Sequence, residues 1–140
     1  LEYGDCLNAI DGYEGHGWHT TSVPAWGIFE LKDEAKMNSL VLMSGKSVGG
    51  TSYGGHLIRF KVMLKVYGQW IQLPYLQVKE DPTAQIENDG TVSLNSAISN
   101  LTLEFTTLTN VQSIRLDVIN TDESKNMWIR EIIPGFFGKF

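Results

Sequence analysis

The sequence has a single cysteine, Cys6, among its 140 residues. One cysteine excludes an intrachain disulfide and any zinc site built from several cysteines. Lysine and arginine together number 11 against 16 acidic residues, which gives a formal net charge of −5. Because phosphate binding needs clustered cations, this balance argues against nucleic acid as a partner. No apolar run approaches the roughly 20 residues that span a bilayer, so we expect no membrane span.

Helical periodicity is also missing from the sequence, because no segment of ten or more residues repeats apolar positions at helical spacing. Alternation with a period of two is present instead, most clearly at 58–66, IRFKVMLKV. The same pattern predicts strands at 101–106 and 114–118. Further strands, with turn-forming stretches between them, are predicted at 25–31, 39–44, 69–73, 76–79, 84–87, 91–95 and 127–133. Short strands separated by turn-forming stretches predict an all-β fold, a β-sandwich or jelly roll, as one domain over residues 1–140.

Known catalytic motifs are absent as well. The sequence contains no G-x-S-x-G elbow, no H-E-x-x-H and no phosphate-binding glycine loop. Carboxylates are plentiful, but no motif singles out a pair for general acid and base catalysis. We therefore expect a binding module and not an enzyme.

Two glycine-rich stretches carry many of the remaining polar and aromatic side chains. Residues 11–26, DGYEGHGWHTTSVPAW, hold three glycines, two tryptophans, two histidines and two carboxylates. Residues 44–56, SGKSVGGTSYGGH, are too long for a hairpin turn between two strands. Long loops in compact domains are disproportionately functional, so both stretches are candidate binding loops.

Several motifs occur in an order that identifies a family. They are AIDG at 9–12, WHT at 18–20, PAW at 24–26, EL at 30–31, LIRFKVMLKVYGQWIQL at 57–73 and SIRLDVINTDESKNMWIREI at 113–132. Together they resemble a discoidin-type (coagulation factor 5/8 C-type) domain of the galactose-binding-like superfamily. Within that superfamily the chain is most similar to bacterial carbohydrate-binding modules of families 32 and 62. One departure is Lys46, a point charge near the place where many galactose binders carry the planar donor fork of an arginine.

The resemblance implies a structural calcium ion held by the carboxylates of Asp11 and Glu131. Calcium takes six to eight oxygen ligands, and further oxygens would come from the backbone around Asn8, Ala9 and His16. Such an ion would pin the first loop against the end of the sandwich. In the alternative interpretation, Asp11 only opens a turn and Glu131 is a solvated strand residue.

The resemblance also places His19 at the end of the sandwich, facing a ligand. A neutral histidine donates at one ring nitrogen and accepts at the other, which suits vicinal sugar hydroxyls. Tyr53 is the aromatic candidate for stacking on a sugar ring. The other candidate ligand-binding residues are Glu14, Lys46, His56, Arg59 and Asn126. The alternatives are that His19 is a core or capping histidine, or, less in keeping with the glycines beside it, a zinc ligand together with His16.

Three tryptophans need a separate assignment. The family pattern places Trp18 and Trp26 in the core, so Trp26→Ala is expected to cost about 3–5 kcal/mol as a core cavity. Strand alternation puts Trp128 on the same face as Arg130. Trp128 is then either a platform for a ligand or a residue that packs beneath the aromatic tail at 136–140.

The function implied by the resemblance is non-catalytic carbohydrate binding. The ligand would be galactose or a related sugar, terminal or in side chains, on a polysaccharide or oligosaccharide. The sequence begins at Leu1 without an initiator methionine or leader, so we expect a mature protein or an excised module. A secreted, extracellular glycoside hydrolase with a tethered catalytic domain is the implied context. The alternative is a discoidin-like adhesion module that binds a protein or phospholipid surface.

Overall fold

The computed structural model describes residues 18–45, 47–48, 51–52, 54–123 and 126–137. Over these residues the secondary structure consists of strands and turns, and no helix there could cross a membrane. The strands are β1 (Trp18–Thr20), β2 (Ala25–Ser44), β3 (Ser47–Val48), β4 (Thr51–Ser52), β5 (Leu57–Val66), β6 (Gln69–Gln72), β7 (Gln77–Val78), β8 (Gln85–Ile86), β9 (Val92–Ser93), β10 (Asn100–Thr121) and β11 (Met127–Gly135). The all-β prediction is confirmed.

Two long strands, β2 and β10, belong to both layers of the sandwich. Residues 39–43 of β2 pair with 100–104 of β10, and residues 25–30 pair with 113–118. Between these two blocks the register shifts repeatedly, and Asn110 adopts a positive φ of 58°. Such irregularities bend a strand pair sharply, so the chain turns there from one layer into the other.

Each layer is completed by shorter strands on either side of the long pair. In what we call the first layer, β11 pairs with β2, β1 pairs with β11, and β7 pairs with β10. In the second layer, β5 pairs with β10, with β6 and with β9, and β9 pairs with β8. The pairings are antiparallel throughout, which leaves each strand with one face toward the core and one face outward.

The core between the layers is filled by the inward-facing residues of these strands. In β5 the alternation predicted from the sequence is confirmed, with Phe60, Val62 and Leu64 buried. Trp18 is 1% exposed, as predicted, and its ring meets Phe29 edge-on at a centroid distance of 6.0 Å. A Cβ on Gly27 would lie 3.1 Å from the Trp18 ring, so glycine makes room there for the indole.

The predicted burial of Trp26 is wrong, because its side chain is 59% exposed. Alternation along β2 sends Gly27 and Phe29 into the core, so Trp26 shares the outer face with Ile28 and Glu30. The Arg115 guanidinium lies over the exposed indole, 4.7 Å from the ring centroid. Trp26→Ala therefore removes no core side chain, and the expected core cavity does not apply.

Candidate functional site

The first strand, the last strand and the 45–56 segment meet at one end of the sandwich. His19 lies opposite Trp128 across the β1–β11 pair. The backbone N–H of Gly45 donates to the Trp128 carbonyl at 2.8 Å, and the N–H of Trp128 donates to the Gly55 carbonyl at 3.1 Å. Both ends of the glycine-rich segment are thus tied to Trp128. The backbone of Trp128 therefore links His19, its partner in the β1–β11 pair, to the described ends of this segment. That His19 faces a ligand stays a prediction.

His19 and Trp128 form a ring pair on the outer face of the first layer. Their centroids are 4.3 Å apart, with 38° between the ring planes. Both side chains are half-buried. Because directly opposed residues of an antiparallel pair have close Cβ atoms, the strand register itself holds the two rings together. The result is an imidazole in contact with an indole at the end of the sandwich where the 45–56 segment begins and ends.

The described part of the aromatic tail, Phe136 and Phe137, makes its contacts away from this ring pair. Phe137 exchanges two hydrogen bonds with the Asn38 side chain, at 2.8 and 2.9 Å, and the Lys36 ammonium lies 4.5 Å from the Phe136 centroid. These partners lie toward the other end of the β2 segment in the first layer, away from Ser44. Of the two predicted positions for Trp128, packing beneath the tail is therefore wrong for the described residues Phe136 and Phe137.

His56 is buried and joins three loops. Its Nδ1 is 2.8 Å from Asp122 Oδ2, and its Nε2 is 3.2 Å from Ser99 Oγ. Asp122 Oδ1 also accepts the backbone N–H groups of Gly55 and His56, each at 2.8 Å. A Cβ on Gly45 would collide with the imidazole, so glycine is required for this approach. Burial favours a positioning role for His56 over its predicted contact with ligand.

Asn126 lies at the same end, in the turn between β10 and β11. Its amide donates to Glu123 Oε2 at 3.2 Å, and its carbonyl accepts from Thr121 Oγ1 at 2.6 Å. A Cβ on Gly54 would collide with the Glu123 carboxyl group, so this acid packs directly on the glycine-rich segment. The turn thus presents an amide and a carboxylate close to Trp128. The sequence drew attention to Asn126 but not to Glu123.

Arg59 lies away from the ring pair. Alternation in β5 points its side chain to the outer face of the second layer, where Nη2 is 2.7 Å from Glu87 Oε2. Its described contacts therefore do not include His19 or Trp128. The prediction that Arg59 contacts a ligand at the loop end stays untested, and its ion pair favours a place on the sheet face instead.

Glu131 occupies a buried position in β11. Its side chain is 5% exposed, next to a register shift opposite Met43, which overturns the alternative of a solvated strand residue. A buried carboxylate needs a hydrogen-bond donor or a cation to offset its lost hydration, so the position fits a calcium ligand. The described residues contain no group of three or more acidic, histidine or cysteine side chains placed to hold a metal. The other predicted ligands, and some predicted sugar-binding residues, lie outside the described residues: Asn8, Ala9, Asp11, His16, Glu14, Lys46 and Tyr53.

Comparison with solved structures identifies similar folds. A pectin-binding carbohydrate-binding module is 20% identical over 94% of this chain and 80% of its own, with a TM-score of 0.63. A family 32 module from Clostridium perfringens, in complex with galactose, is 14% identical over 94% of this chain and 84% of its own, with a TM-score of 0.68. An F5/8 type C domain from Bacteroides fragilis is 14% identical over 92% of this chain and 78% of its own, with a TM-score of 0.61.

These similarities show the fold. The chain has the β-sandwich architecture of the F5/8 type C (discoidin-like) domains and the family 32 carbohydrate-binding modules, as the resemblance in its sequence predicted. No model of a protein family matches the sequence, and no curated protein matches it. The likeness to these domains therefore rests on three-dimensional structure and concerns the fold.

Proposed function

We propose that this chain is a non-catalytic carbohydrate-binding module that recognises galactose or a related sugar at the His19–Trp128 end of the sandwich. The observation that carries the proposal is the tilted His19–Trp128 ring pair beside the glycine-rich segment. An aromatic ring offers a surface to the C–H face of a sugar, and an imidazole exchanges hydrogen bonds with hydroxyls. One similar structure contains galactose, which supports this choice of ligand.

The supporting loops favour a preorganised site. Asp122 accepts three hydrogen bonds from the segment at 55–56, and His56 also reaches Ser99. A loop that is ordered before binding loses less conformational freedom when the sugar arrives. A site for one sugar still makes few contacts, so weak binding strengthened by several sites on one polymer is expected. We also propose that the chain is secreted and is attached to a glycoside hydrolase. The tethered catalytic domain would then provide a second contact with the same polymer.

The proposal includes a structural calcium ion. Glu131 would provide a buried carboxylate, and Asp11 with the backbone near Asn8, Ala9 and His16 would complete the ligand set. When bound, the ion supplies positive charge that holds the first loop against the sandwich. The burial of Glu131 is compatible with this assignment, because a buried carboxylate accepts either a hydrogen-bond donor or a cation.

Isothermal titration with galactose, N-acetylgalactosamine and galactose-terminated oligosaccharides tests the sugar site. His19→Ala and Trp128→Ala are expected to weaken binding at least tenfold, which corresponds to about 1.4 kcal/mol. Tyr75→Ala is the matched control, because Tyr75 is an exposed ring, 89% accessible, in the turn before β7. Its affinity should equal that of the parent protein.

Two results would contradict the proposal. One is an absence of binding by the parent protein to every sugar in the series. The other is binding by His19→Ala and Trp128→Ala that matches Tyr75→Ala. Flotation with phosphatidylserine vesicles tests the adhesion alternative, and strong, salt-sensitive capture of the parent protein would favour that alternative.

A further inference from the structure

A groove of about 470 Å³ crosses the outer face of the second layer, on the other side of the sandwich from the His19–Trp128 pair. Strands β5, β6 and β10 and the turn after β8 contribute to its walls. The residues that matter for its chemistry are Lys61, Met63, Trp70, Asp89, Arg115 and Asp117. The groove therefore combines an indole, a thioether and four charged groups in one open surface.

Trp26 lies beside the groove, where it contacts the lining residue Arg115. The Arg115 guanidinium forms a two-point ion pair with Asp117, at 2.9 and 3.0 Å, and lies 4.7 Å from the Trp26 centroid. The paired carboxylate raises the pKa of Arg115, which keeps the guanidinium charged. The guanidinium lies over the indole, yet the Trp26 side chain is 59% exposed, so much of the ring is open to solvent. The ring is thus held in place and accessible.

The second indole lies across the sheet from the first. Trp26 is opposite Asp117 in β10, while Trp70 is opposite Lys65 in β5. The sheet order β2, β10, β5, β6 separates the two tryptophans by three strand-to-strand steps, roughly 14 Å across the sheet. Because Trp26 lies in the row of Lys61 and Trp70 in the row of Lys65, they are also offset by roughly 13 Å along the strands, which puts their backbones about 19 Å apart. A single exposed apolar residue is ordinary on a protein surface, but here one indole, Trp70, lines the groove and a second, Trp26, lies just beyond the lining residue Arg115 on the same sheet face. Their separation suits a ligand of several ring units.

The charges of the groove balance. Lys61 and Arg115 carry positive charge, and Asp89 and Asp117 carry negative charge. Lys61 Nζ is 4.0 Å from Asp89 Oδ2, and the pKa of Asp89 is lowered mainly by a hydrogen bond from the Thr91 backbone. An acidic polymer or an anionic headgroup would meet two carboxylates there. Paired charges instead offer acceptors and donors to neutral hydroxyl groups.

We propose that this groove is a second carbohydrate site, which binds a neutral polysaccharide chain laid across the sheet between Trp26 and Trp70. The sugar rings stack on the exposed parts of the two indoles, and their hydroxyls exchange hydrogen bonds with the Arg115–Asp117 and Lys61–Asp89 pairs. The site shares no residue with the His19–Trp128 end. It therefore stands whether or not the proposed galactose site does.

Affinity electrophoresis in gels containing a neutral polymer without galactose, such as mixed-linkage glucan or glucomannan, or containing polygalacturonate tests this site, because polymers that carry galactose would also bind at the proposed His19–Trp128 site. The parent protein should be retarded by at least one neutral polymer. Trp26→Ala and Trp70→Ala should each weaken that retardation at least tenfold, expressed as apparent Kd, while titration with galactose stays unchanged. His19→Ala should weaken galactose binding and leave retardation by the polymer unchanged. Tyr75→Ala should match the parent protein in both measurements. Trp70→Phe keeps a ring at the half-buried position and controls for folding.

Four outcomes would overturn the inference. They are no retardation of the parent protein by any neutral polymer, retardation of Trp26→Ala and Trp70→Ala equal to that of the parent, abolition of polymer binding by His19→Ala alone, and preference of the groove for polygalacturonate. Because galactose titration is measured separately, failure of the groove and failure of the loop-end site give different patterns.

Discussion

Trp18 and Trp26 show that the face of the strand on which a residue lies decides whether its side chain is buried. Both were expected in the core, yet Trp18 is 1% exposed and Trp26 is 59% exposed. The sequence did contain a signal for Trp26, because Glu30 stands on the same face of β2 and a charged residue marks the outer side. The family resemblance predicted burial instead, and for Trp26 that prediction is wrong. The face of a strand on which a residue lies can be predicted from the alternation in the sequence. The contact of Arg115 with Trp26 cannot, because it depends on how β10 pairs with β2.

Replacing Trp26 and replacing Phe29 should therefore have different effects on stability. Trp26→Ala is expected to change the free energy of unfolding by no more than about 1 kcal/mol, because it removes a surface ring and one contact with Arg115. Phe29→Ala should cost about 3–5 kcal/mol, because Phe29 is fully buried. Urea unfolding of both variants measures the contrast. Equal losses would contradict the assigned faces.

His19 and Trp128 show the limit of residue-level prediction. Alternation predicted that Trp128 and Arg130 share a face, and the burial pattern of β11 agrees. Nothing local indicated that Trp128 would contact His19, since that contact depends on the register of β1 on β11. β1 and β11 are far apart in the sequence, so their register depends on how β11 pairs with β2 in the rest of the sheet. The likeness to a family indicated the place of His19 but not its partner.

At the scale of elements, β2 and β10 differ most from prediction. The segments predicted at 25–31 and 39–44 are one strand, as are those at 101–106 and 114–118. Residues 32–36, KDEAK, carry few apolar side chains and interrupt the alternation, so the sequence there is typical of a loop. The backbone nevertheless stays paired at Leu108 with Met37 and at Val111 with Ala35. Bending the strand pair, rather than ending it, joins the two layers.

The packing of the His56 imidazole against Gly45, in the 45–56 segment, can be tested by substitution. Gly45 and Gly68 both adopt positive φ angles, of 91° and 77°, but only Gly45 lies against a side chain, the imidazole of His56. Alanine at either position should cost roughly 1–2 kcal/mol for the left-handed backbone. Gly45→Ala should cost about a further 1–3 kcal/mol, because the imidazole must move. Thermal and urea unfolding measure both variants.

Gly68 is the matched control, because a Cβ there would meet no atom within 4 Å. If Gly45→Ala and Gly68→Ala lose the same stability, His56 does not hold the segment as described. Gly45→Ala should also weaken sugar binding, since the Gly45 N–H is bonded to the Trp128 carbonyl. Gly68→Ala, in the turn between β5 and β6, should leave sugar binding unchanged.

For the whole molecule, the fold follows from the sequence more completely than the site does. Alternation in several segments, with no helical pattern, was enough to predict the β-sandwich, and the structural comparisons agree. The binding end depends on loops whose geometry arises from single interactions, such as the Asp122 carboxylate with the segment at 55–56. Those interactions have no periodic signature in the sequence.

The calcium proposal predicts a metal-dependent stability of the whole domain. A ligand present at 100 times its Kd stabilises the native state by about 2.7 kcal/mol, so EDTA should lower the Tm by several degrees. Added calcium should restore the Tm. Glu131→Gln should remove the response to EDTA, whereas Glu123→Gln, at an exposed carboxylate, should keep it. An unchanged Tm of the parent protein in EDTA would contradict a structural calcium ion.

The central claim is that sugar binds at the His19–Trp128 end of the sandwich, and a crystal structure with a galactose-terminated oligosaccharide tests it most directly. We expect the terminal sugar to lie against the His19–Trp128 ring pair, with a ring nitrogen of His19 within hydrogen-bond distance of a hydroxyl. The 45–56 segment should border the sugar. A terminal sugar bound elsewhere, with the His19–Trp128 surface left empty, would contradict the account.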